Sequence, residues 1–510
     1  MATTKPLSLS LRPTVTSAPV VYTNGAGIDS TKNGSADGNG YSAPVPENTS
    51  KRQKTKPSDD LTHTFLIEPP DDDGNAKCAY AMFGDKFLYC EALGWLTWVG
   101  THWQPDPAEA AIDRSVLNLL KARRLAAVHA DKEAIVKVTN GSARHMHDCK
   151  RLFRTMITVD VAAFDDSPDT LNVANGVLYL RTGELVPHDP AQRFTYCTSV
   201  EYDPDADDSA WVNWLVDAVG GDAAAWLQKA IGYTLTGHTR EEVLFYLFGP
   251  PRAGKGIFTE TILTVLGKPL SVEINFGTFT AQRTGDSQNF DLAPLKACRM
   301  VAAAESNSYE RFNEAKLKSL TGGNEVYCAF KHRNHFNYRP QFKIWLSSNE
   351  PVNADPDDEA VWGRIRTIEF PHSYLGKEDK TLKRRMRSTE VLKGVLVWAA
   401  IGAQLWYKLE ATGLTELESS STLKKHHRKE LDGVGMWLDE SALLPDDTTG
   451  FTSVADLYAS YKSWCEKNGH SPKMMKGLSQ SLLRKGLAIT RETDRIDGKQ
   501  KRGFSGIKLL

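Results

Sequence analysis

The sequence predicts an α/β protein with a parallel sheet, because a strand, a glycine-rich loop and a helix follow one another directly. Residues 243–248 are an unbroken apolar run that ends at Gly249, which is typical of a strand buried on both faces of a parallel sheet. The loop GPPRAGKG comes next, and residues 257–266 have the composition of a helix. Further apolar segments of strand length come after it, so alternating strands and helices are expected to form the core.

The start of the chain is predicted to be a disordered, low-complexity tail. Residues 1–75 are rich in Ser, Thr, Gly, Asn, Pro and Asp and contain almost no aromatic residues. Such a segment buries too little apolar surface to offset the entropy lost on ordering. The basic run at residues 51–56 is interpreted as part of a solvated linker, although a nuclear address or a nucleic-acid contact has a similar composition.

Residues 76–235 are predicted to form a mostly helical domain that leads into the first strand of the sheet. Closely spaced aromatic residues in 87–103 indicate a hydrophobic core, and residues 171–185 have the pattern of a β-hairpin with its turn at 181–183. Helices are expected at residues 113–128, 146–156, 211–219 and 223–236.

Composition limits the classes of protein that this chain can represent. Its net charge of -1 excludes a uniformly basic nucleic-acid coat, so any binding of polyanions must depend on local patches. Seven cysteines without a CxxC pair argue against a zinc or disulfide framework and for a reducing compartment. No apolar run approaches the roughly 20 residues that span a bilayer, and the polar N-terminus is not a signal peptide. A cytoplasmic protein with no membrane contact is therefore expected.

The loop after the first strand is predicted to hold the phosphates of ATP. Backbone N–H groups and the following helix N-terminus would bind anionic oxygens, and Lys255 would reach the β and γ phosphates. Pro250 and Pro251 have no N–H donor, so the amides of residues 252–256 must form the cradle. The predicted nucleotide-binding residues are Gly249, Arg252, Ala253, Gly254, Lys255, Gly256 and Ile257.

Later strands are predicted to place polar side chains at the same edge of the sheet. Strands are expected at residues 270–276, 299–304, 342–348 and 365–370. Glu305 ends the third strand of the predicted sheet, where a P-loop ATPase carries its magnesium ligand or catalytic base. Asn349 ends the fourth, and an amide at this position can orient the attacking water.

The source of the magnesium hydroxyl ligand is unusual in this loop. Gly256 occupies the position where Ser or Thr normally provides that hydroxyl. Thr259, nearly one helical turn later, is a candidate substitute. We therefore expect ATP and Mg²⁺ to bind, with Glu305 and Thr259 as candidate metal ligands.

A second hairpin is predicted between the third and fourth strands of the sheet. Residues 325–330 and 335–339 are strand-like and flank a cationic tip that lies next to aromatic residues. Cations beside aromatic rings can grip single-stranded nucleic acid through phosphates and base stacking, although a solvated surface hairpin has the same composition. The candidate DNA-binding residues are Lys331, His332 and Arg333.

Taken together, the ordered motifs resemble those of the superfamily 3 helicases, specifically the primase-helicase family of satellite phages, plasmids and poxviruses. The resemblance is carried by GPPRAGKG, Glu305, LKSLTGGN, LSSN and WGRIRTIEF in this order, and it extends from about residue 87 to the end. It implies an AAA+ fold and a homo-hexameric ring that moves along single-stranded DNA at a replication fork. The implied setting is the cytoplasm of a host cell, which we expect to be bacterial.

The resemblance also assigns roles to individual residues. It makes Lys255 the Walker A lysine, Glu305 the Walker B acid and Asn349 the sensor. Arg364 matches the arginine finger that is offered to the neighbouring subunit, with Arg366 as a weaker match. The predicted catalytic residues are thus Lys255, Glu305, Asn349 and Arg364.

Domain boundaries and partners complete the expectation. Residues 236–405 are assigned to the ATPase domain, 406–435 to a linker and 436–510 to a winged-helix domain. The basic residues Lys499, Lys501 and Arg502 would let that last domain contact origin duplex, while a role in stabilising the ring or docking a partner is an equal alternative. A separate primase or loader is a further expected partner.

The chain departs from the family pattern at three points. Ser306 follows Glu305, so an adjacent acidic pair is missing and one carboxylate would serve both roles. Asn324 stands where the family usually has Asp. Residues 1–75 are too short and too polar for the primase domain that the family often carries, so no primer synthesis is expected.

Two other functional classes compete with the helicase. A packaging or partition motor would act on duplex DNA and would lack the LTGGN hairpin segment. An origin-binding protein that uses nucleotide only to assemble would show no DNA-stimulated hydrolysis.

Overall fold

The computed structural model describes residues 57–279, 289–304, 312–330, 334–444, 450–496 and 499–510, which belong to one unit, Lys56–Leu510. The chain runs through an N-terminal part, a central part with the parallel sheet and a C-terminal part. Among the described residues, no helix combines the length and apolar character that crossing a bilayer requires.

The N-terminal part consists of helices and two small antiparallel sheets, β1-β2-β3 and β4-β5-β6. The second sheet contains the hairpin predicted at residues 171–185, which is confirmed. The elements are α1 (Pro57–Ile67), α2 (Asp72–Phe83), β1 (Phe87–Cys90), β2 (Gly94–Trp98), β3 (Trp103–Pro105), α3 (Ala110–His129), α4 (Glu133–Val138), α5 (Ala143–Met156), β4 (Thr170–Val173), β5 (Gly176–Tyr179), β6 (Glu184–Val186), α6 (Ser209–Val219) and α7 (Gly221–Leu235).

Ordered structure begins earlier than the sequence predicts, since α1 and the start of α2 lie inside the range assigned to a tail. The buried guanidinium of Arg123 donates to the carbonyl oxygens of Phe65, Glu68 and Pro69 at 2.7–3.0 Å, and to the side chain of Asn75. These hydrogen bonds hold the polar segment that connects α1 to α2. The composition of residues 57–75 gives no sign of them, because Arg123 lies in a distant helix. The predicted tail is therefore too long by residues 57–75, and residues 1–56 lie outside the described part.

The central part contains a five-stranded parallel sheet with the strand order β13-β7-β12-β9-β8. Each strand lies close to its predicted position, so the α/β class with a parallel sheet is confirmed. The elements are β7 (Leu244–Phe248), α8 (Lys255–Leu266), β8 (Ser271–Glu273), β9 (Met300–Ala304), α9 (Glu314–Thr321), β10 (Val326–Ala329), β11 (His335–Tyr338), β12 (Lys343–Ser348), α10 (Glu359–Arg364), β13 (Ile365–Glu369), α11 (Leu382–Arg385), α12 (Thr389–Tyr407) and α13 (Glu418–Leu431).

Strand β7 is buried on both faces, as its continuous apolar sequence predicts. Phe245 and Leu247 join the core under helices α7, α8 and α12, while Leu244 and Tyr246 join the core on the other face. The rings of Phe245 and Trp345, on neighbouring strands, stack with centroids 4.2 Å apart. Because all five strands are parallel, their carboxyl ends meet at one edge of the sheet.

Two predicted boundaries differ from the structure. Helices α6 and α7 pack on the parallel sheet together with α12, so the domain end predicted at residue 235 does not coincide with a break in the core. The predicted linker 406–435 contains α13, whose His427 ring lies 4.6 Å from the ring of Phe248 at the end of β7. This segment is part of the core and not a free connector.

The C-terminal part is a small helical domain with a three-stranded antiparallel sheet, β15-β17-β16. Trp437, Leu457, Tyr461 and Phe504 are buried in its core. The elements are α14 (Gly433–Ser441), β14 (Ala442–Leu443), β15 (Phe451–Ser453), α15 (Val454–Asn468), α16 (Met475–Arg484), β16 (Thr490–Ile496), β17 (Lys499–Ser505) and β18 (Lys508–Leu509).

Candidate nucleotide-binding site

The loop between β7 and α8 has a backbone conformation that depends on glycine. Gly249 has a φ of 147°, and a Cβ atom there would lie 2.2 Å from the carbonyl oxygen of Phe370. Gly254 has a φ of 102°, in the left-handed region that glycine adopts without strain. Arg252 also has a positive φ, 61°, although it is not glycine. Three residues of this loop thus have positive φ angles, one of them not glycine, which is a more constrained backbone than an ordinary surface turn requires.

The segment after β13 supports this loop from one side. The hydroxyl of Ser373 donates to the carbonyl oxygen of Pro251 at 2.8 Å, and the amide of Tyr374 donates to that of Arg252 at 3.2 Å. These bonds use carbonyl groups and leave the amides of residues 252–256 for a ligand. The Arg252 side chain is mostly exposed, with Nε 3.9 Å from a carboxylate oxygen of Glu378.

Lys255 and Asn349 meet at the carboxyl edge of the sheet. Lys255 is the first residue of α8, and Asn349 follows β12, which pairs directly with β7. The ammonium of Lys255 donates to Oδ1 of Asn349 at 2.9 Å, to the carbonyl oxygen of Gly249 at 2.6 Å and to that of Pro250 at 2.9 Å. Lys255 is only 7% exposed, and this burial lowers the pKa of its ammonium.

The other predicted nucleotide contacts occupy the loop and the start of α8. Ala253 is buried, and a Cβ atom added at Gly256 would meet no atom within 4 Å. The hydroxyl of Thr259 donates to the carbonyl oxygen of Lys255 at 3.1 Å. Ile257 lies in the first turn of the helix and is partly buried.

Glu305 lies outside the described residues. Strand β9 ends immediately before it, at Ala304, which pairs with Ser347 on β12. Among the described residues, no group of three or more His, Cys, Asp or Glu side chains is arranged to hold a metal ion. A magnesium site of the P-loop type needs fewer protein ligands, because the phosphates of the nucleotide and water molecules provide most of the oxygens.

Arg364 lies at the opposite edge of the sheet. It ends α10, next to Ile365, which pairs with Leu244 at the start of β7. Its guanidinium donates to Oε2 of Glu242 at 2.7 Å, and its side chain is 22% exposed. Arg366 on β13 donates to the carbonyl oxygen of Gly363 at 2.6 Å, and burial lowers the pKa of its guanidinium.

The predicted hairpin between the third and fourth strands of the sheet is confirmed as the antiparallel pair β10 and β11. Its tip residues Lys331, His332 and Arg333 lie outside the described residues. On the hairpin itself, Tyr327 is 60% exposed, and its ring stacks on that of His335 with centroids 4.8 Å apart and planes 8° apart.

Family comparisons cover all three parts of the chain. Residues 76–220 match the D5 N-terminal-like family, residues 439–505 match the poxvirus D5 protein-like family, and residues 247–365 match a family of unknown function. The two D5-type matches lie on either side of the part that contains the parallel sheet. These two matches support membership of the primase-helicase family. The first match ends at residue 220, between α6 and α7.

Curated relatives of this chain include viral proteins. The provisionally named helicase L207/L206 of Acanthamoeba polyphaga mimivirus is 22% identical over 60% of this chain and 34% of its own length. The provisionally named helicase 022R of Frog virus 3 is 24% identical over 46% of this chain and 25% of its own length. Replication protein E1 of human papillomavirus 25 is 24% identical over 34% of this chain and 25% of its own length. The chain thus spans about a third or less of the relatives that it matches.

Solved structures also include a similar chain. The match to the apo C-terminal region of NrS-1 covers 82% of this chain and 95% of that structure, with a TM-score of 0.47 and 11% identity.

Several contacts at the site escape prediction from the sequence. Glu242, the partner of Arg364, lies in no recognisable motif. The same is true of Ser373 and Tyr374, which support the loop. Trp214 of α6 has a ring atom 3.2 Å from the position that a Cβ of Gly254 would occupy. These partners are more than 30 positions away along the chain, so local sequence patterns carry no signal for them.

Proposed function

We propose that this chain is an ATP-dependent replicative DNA helicase of superfamily 3, from a phage or another mobile element, that moves along single-stranded DNA as a hexameric ring. The contact between Lys255 and Asn349 at the carboxyl edge of the sheet carries the proposal. It brings a phosphate-binding cation and a water-orienting amide together on adjacent strands. The names of the viral relatives support the same class of activity.

Lys255 is suited to bind phosphate by its present surroundings. Its three hydrogen bonds go to uncharged oxygens, so the buried ammonium has no counter-charge among them. A buried cation is costly without an anion beside it. The β and γ phosphates of ATP would provide that charge, with one or more donors of Lys255 turning away from the carbonyl groups and Asn349.

The protein atoms proposed for Mg²⁺ are few. Glu305 would contribute a carboxylate, and the ion would neutralise charge on the phosphate oxygens when bound. The hydroxyl of Thr259, the candidate from the sequence, is hydrogen-bonded to the carbonyl oxygen of Lys255 and would have to leave that oxygen to bind the ion. Asn349 would orient the attacking water, and Glu305 would accept its proton.

Arg364 is proposed to act on a nucleotide in the neighbouring subunit. It lies at the edge of the sheet where the strands begin, whereas Lys255 lies beyond their carboxyl ends. The five residues of β7 separate the two edges by roughly 13 Å. A guanidinium at one edge cannot serve a nucleotide of its own subunit at the other edge, which favours a site shared between subunits.

The hairpin is proposed to grip single-stranded DNA in the ring pore. Exposed Tyr327, stacked on His335, offers a surface on which a base could stack, and Lys331, His332 and Arg333 would contact phosphates. Stacking contributes about 1–3 kcal/mol per base, and separating one base-pair step costs about 1.4 kcal/mol. The free energy gained by stacking on one base is therefore comparable to the free energy needed to separate one base-pair step.

The C-terminal part is proposed to be a winged helix in which β16 and β17 form the wing. Lys501 and Arg502 lie on β17, where they would reach the phosphates of origin duplex. A separate primase or loader would complete the replication machinery.

The test is strand displacement on a forked DNA by the full chain and by Lys255→Ala, with particle mass measured with and without ATP. We expect wild type to hydrolyse ATP, unwind the fork and assemble with nucleotide, and Lys255→Ala to lose unwinding. Lys77→Ala, which changes a partly exposed lysine in an ion pair with Asp73, is the matched control. A wild-type chain that binds duplex DNA and ATP without hydrolysis would refute the proposal.

A further inference from the structure

The segment between Asn349 and Arg364 is held in place by the C-terminal part. Lys473, which lies just before α16, donates from Nζ to Oδ1 of Asp355 at 3.0 Å and to Oδ2 of Asp357 at 3.0 Å. One lysine therefore ties two carboxylates of the ATPase segment to the C-terminal part.

Asp357 is the centre of this contact. Its side chain is only 5% exposed, and it accepts a hydrogen bond from the hydroxyl of Ser481 on α16. Nζ of Lys485 lies 3.5 Å from its other oxygen. Burial alone would raise the pKa of this carboxyl, but the hydrogen bonds from Ser481 and Lys473 and the charge of Lys485 hold the pKa below its ordinary value. The group is thus a buried carboxylate with partners on both oxygens.

The same segment is rigidly connected to the helix that ends at Arg364. Asp358 accepts a hydrogen bond from the amide of Val361 at 3.2 Å and one from Lys318 at 2.6 Å. The indole of Trp362 donates to the carbonyl oxygen of Asp355 at 2.9 Å. A shift of Asp355 or Asp357 is therefore transmitted to α10.

We propose that Asp357 is a positioning residue for ATP hydrolysis, through which the C-terminal part fixes the segment that carries Asn349 at one end and Arg364 at the other. The inference rests on the proposed ATPase function. Asp357 does not contact the nucleotide; it acts through the backbone of residues 349–364. Small errors in the placement of reacting groups are costly, so loosening this segment slows hydrolysis more than it weakens binding.

The contact is not needed to keep the two lysines paired. Lys473 retains Asp355, and Lys485 retains Asp432 as its partner, when Asp357 loses its charge. Asp357→Asn therefore removes one carboxylate without leaving a lysine unpaired, and we expect the variant to fold.

The experiment measures kcat for ATP hydrolysis and the dissociation constant for ATP in the full chain. We expect Asp357→Asn to lower kcat by about tenfold while the ATP dissociation constant changes by less than about twofold. Lys473→Ala, which removes the shared cation, is expected to have the same effect. Asp357→Glu keeps the charge and is expected to restore most of the rate, and a role in overall stability alone would not lower kcat selectively while ATP binding is kept.

Two matched controls lie in the same part of the chain. Asp439→Asn changes an exposed aspartate of α14, and Lys462→Ala changes a surface lysine of α15 that is 3.9 Å from Glu466. Both are expected to keep the wild-type kcat. Wild-type kcat in Asp357→Asn and Lys473→Ala would overturn the positioning role, whereas absence of hydrolysis by the wild type would refute the proposed function itself.

Discussion

The ammonium of Lys255 and the side-chain oxygen of Asn349 lie 2.9 Å apart, although 93 residues separate them along the chain. The contact exists because β7 and β12 are adjacent in the sheet and end at the same edge. One residue is positioned by the start of α8 and the other by the end of a strand, so each has a rigid support.

This pair predicts distinct effects for its two members. Lys255→Ala should weaken ATP binding and abolish hydrolysis, because it removes the cation that reaches the phosphates. Asn349→Ala should lower kcat by about a hundredfold while ATP binding is largely kept, since the amide orients water rather than holding the nucleotide. Steady-state hydrolysis and equilibrium ATP binding separate the two. An Asn349→Ala variant with wild-type kcat would contradict the role of the amide.

The absence of a hydroxyl at residue 256 makes a gain of function testable. A Cβ atom added at Gly256 meets no atom within 4 Å, so Gly256→Thr is expected to be accommodated and to lower the Mg²⁺ concentration needed for half-maximal hydrolysis. Thr259→Ala should change that concentration by less than about twofold, because the Thr259 hydroxyl is hydrogen-bonded to its own helix. Titration of Mg²⁺ at saturating ATP measures both. A large loss in Thr259→Ala would instead identify Thr259 as the metal ligand.

Arg364 provides the test for a site shared between subunits. Arg364→Ala should lower kcat by about 10³ or more and leave ATP binding nearly intact. Mixing it with Lys255→Ala subunits should restore part of the activity, because hybrid interfaces contain one intact lysine and one intact arginine. Arg114→Ala, on the exposed side of α3, is the control. If no mixing ratio recovers hydrolysis, the shared site is wrong.

The crossing of α7 and α12 should be sensitive to a single methyl group. A Cβ at Gly232 would lie 2.0 Å from the backbone of Gly402 and Ala403, so Gly232→Ala should destabilise the fold by about 1–3 kcal/mol or more. Gly221→Ala, in the same helix, meets no atom within 4 Å and should be neutral or stabilise by up to about 1 kcal/mol. Denaturant unfolding measures both, and equal midpoints would contradict the close approach.

His427 should make stability depend on pH near neutrality. Burial against Phe248 lowers the pKa of its ring below 6.5, so the unfolded chain binds a proton more readily than the folded one. The contribution to stability is complete above pH 6.5 and is lost as pH falls through the lower, folded pKa. His427→Gln should therefore reduce the loss of thermal stability between neutral and acidic pH. His426→Gln, on the adjacent residue with a 67% exposed side chain, should leave that loss unchanged.

The parallel sheet could be predicted because its signals are local. Strand β7 is apolar along its whole length, and the glycines of the next loop mark the turn between this strand and helix α8. The same holds for the hairpin of β10 and β11. The extent of the predicted tail was wrong because Arg123, some 55 residues later in the chain, provides the hydrogen bonds that order residues 65–75.

By itself, the sequence determined the class of fold, the position of the glycine-rich loop and the residues that end the strands, since hydrophobic periodicity and glycine requirements act over a few residues. Only the tertiary structure decided that Lys255 contacts Asn349, that Glu242 holds Arg364 and that Lys473 of the C-terminal part binds Asp357. Those pairings depend on strand order and on how separate parts pack, and a charged side chain carries no local mark of the distant partner that will neutralise it.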